Sequence, residues 1–220
     1  MKKKTKLAAI GIVIMISALG TAFIVQNVGD TKHPATTIRV ACVGDSITEG
    51  FLYPDELWMM LGIDYTVGNF GAGGTTITQN SQTPYLNATE FQEAKQFNPN
   101  IAIIMLGTND ASPENEKYIN SFVNDYIKLI DAFQALSSQL QVWIVLPPPV
   151  LYNGTGLSTQ FFEENVIPSI KQVAKEANLP LIDVYSAFSG HADYLWDGVH
   201  PNNEGSKLIA QTIHDAVTSK

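Results

Sequence analysis

Short apolar runs, each followed by an amphipathic segment, constrain this chain more than any other feature. The runs are Ile38 to Val43, Asp64 to Asn69, Asn100 to Leu106, Gln141 to Leu146 and Leu181 to Val184. The third is apolar along its length, as a strand buried on both faces has to be. Between them lie helical patterns. One has Pro54 in its first turn and Gly62 as its stop. A weaker one covers 90–97. A longer one places Ile119, Phe122, Val123, Tyr126, Ile127, Ile130 and Phe133 at helical spacing. The next, 160–177, contains Pro168 and is expected to kink or divide there. The last carries Leu208, Ile209, Ile213, Ala216 and Val217. Strands alternating with helices predict an α/β fold, a parallel sheet with helices on both faces. At 220 residues the chain suffices for a single domain with a sizeable core.

The N-terminus stands outside that pattern. Residues 1–6 carry four lysines, and Leu7 to Val25 is uncharged and almost entirely apolar. Residues 1–25 therefore read as a cleaved signal peptide or as an uncleaved signal anchor, because about 17–25 apolar residues span a bilayer. Either way the body is exported, secreted or held at the outer face of the cytoplasmic membrane. Residues 26–37 read as a polar linker and 38–220 as the domain. The formal net charge is −8, and Lys2, Lys3, Lys4 and Lys6 precede any acid, so the body is more acidic still. An acidic body without a basic stripe excludes nucleic acid as a partner, and membrane contact is expected only through the N-terminal segment. The one cysteine, Cys42, sits inside the first run and reads as a buried structural thiol.

In a parallel sheet all strands end on one rim, and several polar residues follow strand ends. Ser46 follows the first strand in Gly44-Asp45-Ser46. Gly71 follows the second, Asn109 the third, and Asp197 and His200 come after the fifth. A serine hydroxyl is a weak nucleophile that needs an adjacent base. His200 suits that part, and Asp197, three residues earlier, is placed to fix the imidazole tautomer. An oxyanion needs preorganised donors, for which the N–H groups of Ser46 and Gly71 and the Asn109 carboxamide are candidates. Gly71 to Gly74 lacks the lysine of a phosphate-binding loop.

Four blocks resemble those of the SGNH, or GDSL-type, serine hydrolases, in that family's order: Gly44-Asp45-Ser46-Ile47-Thr48, Asn69-Phe70-Gly71-Ala72-Gly73-Gly74, Gly107-Thr108-Asn109-Asp110 and Asp197-Gly198-Val199-His200-Pro201. The resemblance implies a flavodoxin-like three-layer α/β/α sandwich with a five-stranded parallel sheet ordered 2-1-3-4-5. It implies ester or thioester hydrolysis through an acyl-enzyme, with no metal and no cofactor. On that implication Ser46, His200 and Asp197 are the triad, and Ser46, Gly71 and Asn109 form the oxyanion hole. Tyr53-Pro54 and the run from Gly107 to Pro113 look most similar to exported members that deacetylate carbohydrates, sialate O-acetylesterase-like proteins among them.

The expected substrate is a small or glycan ester. Loops over the rim are rich in Tyr, Asn, Thr and Ser, and Trp196 directly precedes Asp197. These residues suit an acetylated sugar better than a long acyl chain. Two alternatives stand beside that reading: a lysophospholipase or thioesterase of the same family, and a surface carbohydrate-binding module without turnover.

Overall fold

The computed structural model describes residues 37–136, 139–152 and 155–219. The expected signal or anchor, and the linker up to residue 36, lie outside the described residues. Five strands form one parallel sheet in the order β2-β1-β3-β4-β5. They are β1 (Ile38–Gly44), β2 (Tyr65–Gly71), β3 (Ile101–Met105), β4 (Gln141–Leu146) and β5 (Leu181–Asp183). Every residue of β3 is buried, which accounts for its unbroken apolar run. The chain leaves β1 for β2 on one side and reaches β3 on the other. The order therefore reverses between β1 and β3, where open α/β sheets leave a crevice at the strand ends. Ser46 follows one wall of that crevice and Asn109 the other.

The helices are α1 (Ser46–Glu49), α2 (Tyr53–Leu61), α3 (Thr89–Gln96), α4 (Ile119–Gln134), α5 (Thr159–Phe161), α6 (Ile167–Glu176), α7 (Val184–Ala187) and α8 (Asn203–Thr218). Helices α2 and α8 pack together on one face, and α4 packs on α6 on the other. Helix α3 joins α4 there, where the Phe91 ring meets Phe133 edge-on with centroids 5.7 Å apart. The expected break at Pro168 takes a milder form. A π-helical turn, Phe162–Val166, carries the chain from α5 into α6, with the Ile167 N–H reaching back to Phe162 O. Pro168 has no N–H to give, and widening the turn just before it keeps the helix running rather than dividing it.

Cys42 lies wholly buried in β1, and burial pushes its thiol up to about 12. Gly107, which leaves β3 for the Asn109 turn, has φ +120°. A Cβ there would lie 3.2 Å from both Ile170 and Val166 and 3.3 Å from the Phe122 ring. Gly107→Ala is therefore expected to cost about 1–3 kcal/mol. The check is urea unfolding, in which the midpoint should fall while the slope stays that of the parent.

Candidate active site

Ser46 stands at the first position of α1, and Asp45 caps that helix by accepting the Ile47 N–H on Oδ1 at 3.0 Å. The helix sits directly on the strand ends because Gly44 leaves room for it. A Cβ at Gly44 would run into the Thr48 side chain and Met105 O. Thr48 Oγ1 and the buried Tyr53 hydroxyl lie 2.9 Å apart beneath it. Asn69 ties the far end of α1 to β2, giving its carboxamide N–H to Thr48 O at 2.8 Å.

Residues after β5 arrive at the same place. The Leu195–Pro201 bridge and the Trp196 N–H to His200 O bond, 3.0 Å, close the 196–200 turn into a rigid unit. Asp197 fills that turn. Its Oδ1 accepts the main-chain N–H groups of His200 at 2.7 Å and Val199 at 3.0 Å. Its Oδ2 lies 2.7 Å from His200 Nδ1, and His200 Nε2 lies 2.9 Å from Ser46 Oγ. Partial burial works against the Asp197 charge. The hydrogen bonds from His200 and Val199 outweigh it and hold the carboxyl below the usual carboxylate range. An ionised Asp197 orients Nδ1–H toward itself, which leaves Nε2 as the acceptor for the Ser46 hydroxyl.

Asn109 lies on the other wall, in the 3₁₀ turn Thr108–Ala111. One carboxamide N–H goes to Thr75 O at 3.0 Å, which leaves the second free to point elsewhere. The Asn109 main-chain carbonyl accepts the Asn115 carboxamide N–H at 3.0 Å. Beside Asn109 opens a cavity of about 600 Å³, bordered by Gly74, Gln82, Thr83, Ser112, Asn115 and Leu157. The hydroxyl of Ser112 is buried there without a hydrogen-bond partner among the described residues.

Gly71 departs from the expectation. It is the last residue of β2, paired with Gly44, and its N–H is bonded to Asn69 Oδ1 at 3.0 Å. That N–H is therefore spent within the fold. Gly71 serves close packing instead, since a Cβ would collide with the main chain of Thr48 and Glu49. The glycine that faces the cavity with Asn109 is Gly74, with φ +73° and open space where a Cβ would stand. Among the described residues its N–H has no acceptor. Reading the glycine row as one loop hid this. The signal that separates the two glycines is the extra length of β2, which pairing with β1 carries through Gly71.

Two buried acids escaped the sequence reading. Asp110 accepts the N–H groups of Ile77 at 2.8 Å and Thr78 at 3.0 Å, fixing the segment that follows Gly74. Burial pushes both Asp45 and Asp110 up to about 6, against the hydrogen bonds they accept.

The GDSL-like lipase/acylhydrolase family model matches residues 42–208. The chain belongs to that family. An acetylxylan esterase from Xylanibacter ruminicola is 31% identical over 206 residues, which is 82% of this chain. The match spans 43% of that relative's length. Among solved structures, an aryl esterase from M. smegmatis superposes with TM-score 0.67 at 18% identity, covering 82% of this chain and 98% of that one. A lipase/acylhydrolase from Enterococcus faecalis gives 0.67 at 22%, covering 82% and 95%. A carbohydrate acetylesterase family member from Sinorhizobium meliloti gives 0.64 at 19%, covering 82% and 97%. These structures share the fold.

The acid beneath Ser46 gives a test of stability. Because the folded-state value of Asp45 is raised from 3.8 to about 6, its contribution is fully present below about pH 4 and is lost as pH rises through 6. Asp45→Asn removes that dependence. Relative to the variant, the parent should gain about 2 kcal/mol of unfolding free energy between pH 7 and pH 4, read from urea titrations at both values.

Proposed function

We propose that this protein is an exported serine esterase that removes short acyl groups, chiefly acetyl, from carbohydrate. The observation that carries the chemistry is the continuous hydrogen-bonded line from Ser46 Oγ through His200 to Asp197. Ser46 Oγ attacks the ester carbonyl and gives its proton to His200 Nε2. The carbon–oxygen bond to the alcohol breaks, and the alcohol oxygen takes that proton as it leaves. Water then attacks the acyl-serine and loses one proton to the same nitrogen; the bond from the acyl carbon to Ser46 Oγ breaks, Oγ takes that proton back, and the acid departs and ionises in solvent. Asp197 holds the imidazolium in both halves. The N–H groups of Ser46 and Gly74 and the Asn109 carboxamide are the proposed oxyanion donors. The first has no intrahelical partner because it opens α1.

Gln82, Thr83, Ser112 and Asn115 around the cavity suit a short acyl group, and they poorly match a long alkyl chain. The relative named as an acetylxylan esterase makes acetylated xylan the first substrate to try. Export rests on the basic and apolar N-terminal residues.

Ser46→Ala should abolish release of 4-nitrophenol from 4-nitrophenyl acetate at an unchanged melting temperature; an active variant would overturn the nucleophile assignment. His200→Ala should lower kcat by about 10⁶ and Asp197→Asn by about 10⁴. In a series of acyl lengths, acetate should be the best substrate. Preference for chains of eight carbons or more would favour the lipid reading instead.

A further inference from the structure

The aromatic rings beside His200 have no part in the hydrogen-bonded line just described, yet their placement is specific. Phe51, which follows α1, stacks on the His200 ring with centroids 5.3 Å apart and planes 21° from parallel. Trp196 stacks on it at 6.1 Å and 24°. Trp196 is 65% exposed. Tyr152, also exposed, lies against Gly198, where its ring occupies the space a Cβ would need. The frame is stiff: besides the Trp196–His200 bond, the Leu151 N–H donates to Gly198 O at 2.8 Å. A large ring held in the open next to a reacting imidazole leaves an apolar face for a ligand to cover.

Stereochemistry says which part of the ester meets that face. Around the attacked carbon, one oxygen turns to the oxyanion donors near Asn109. The ester oxygen must come within hydrogen-bond reach of His200 Nε2, because that nitrogen returns the proton to it. The alcohol half therefore lies along the imidazole and its flanking rings, away from the cavity beside Asn109. Segments 49–53, 150–152 and 193–200 contain no lysine or arginine, and they contribute Glu49, Asp193 and Asp197. A phosphate-bearing alcohol would meet three carboxyl groups there and no lysine or arginine to pair with. An uncharged ring with a face of C–H groups matches both the rings and the charge.

On the carbohydrate reading above, we infer that Trp196, with Phe51 and Tyr152, forms the platform on which the sugar ring of the alcohol half stacks. Trp196 is thus a specificity-determining residue for the leaving group. It is not a catalytic one.

The experiment compares acetyl esters that differ only in the alcohol: a mono-O-acetylated xylo-oligosaccharide, phenyl acetate and vinyl acetate. All three give the same acetyl-enzyme, so differences among them report the alcohol side. For Trp196→Ala, KM for the oligosaccharide should rise at least about fivefold. The ratio of kcat/KM for oligosaccharide over vinyl acetate should fall by a similar factor. Trp196→Phe should recover part of the loss, and Tyr152→Ala should show a smaller change of the same kind. An equal loss on vinyl acetate would mean the indole merely holds His200 in place and would overturn the inference. So would a larger loss on phenyl acetate than on the saccharide, which would make the platform one for aryl alcohols. A parent that cleaves the acetylated saccharide with a Trp196→Ala variant that matches it sinks the platform alone. A parent that cleaves vinyl acetate and no acetylated saccharide sinks the carbohydrate reading, and the platform with it.

Discussion

The close seating of α1 on the ends of β1 and β2 is the constraint from which the rest of the site follows. Two glycines permit it. Gly44 has no side chain to meet Thr48, and Gly71 has none to meet the main chain of Thr48 and Glu49. Any side chain at either place would lift the helix and take the Ser46 oxygen out of reach of His200 Nε2. Asn69 then closes the joint by serving α1 with one end of its carboxamide and Gly71 with the other. One amide thus sets the distance between helix and strand. It also decides which glycine N–H is left over for a substrate.

Two carboxyl groups hold the surrounding backbone in the same manner. Asp45 orders the first turn of α1, and Asp110 orders the main chain at Ile77 and Thr78. Each is almost fully buried, and among the described residues Asp45 Oδ2 makes no hydrogen bond of good geometry, with the Thr108 hydroxyl interacting only weakly with the carboxyl. Burying a carboxyl that is not fully satisfied costs stability. In return the donors around the nucleophile are held before any substrate arrives, so little reorganisation is left for the reaction itself. The family's catalytic blocks thus combine residues that face the substrate with residues that only brace the backbone. Asp45 and Asp110 belong to the second group.

Much of this was legible in the sequence, for a topological reason. Ser46 and His200 are 154 positions apart, yet parallel strands deliver every strand end to one rim, and the likeness of the four blocks to those of the SGNH hydrolases pairs the two residues on it. The β4 run matches the observed strand residue for residue, since all its limits are set locally by Gln141 and by the prolines after Leu146. What failed was what depends on contacts between distant segments. The end of β2 is set by pairing with β1, which the glycines of the loop conceal. Helix α1 holds β-branched Ile47 and Thr48, poor formers on their own, and exists because Asp45 caps it and the sheet supports it. The stacking of Phe51 and Trp196 on His200 depends on how three loops meet, and no local pattern encodes that.

Cys42 carries a separate consequence. Its sulfur sits in the central part of the sheet and ionises only under strongly alkaline conditions, so oxidants and alkylating reagents find no thiolate while the fold is closed. It is also the sole thiol of the chain. Reagent uptake at that one atom is therefore silent for the native protein and counts only the moments when the sheet comes apart. The fold carries its own clock for opening, independent of whatever occupies the rim above it.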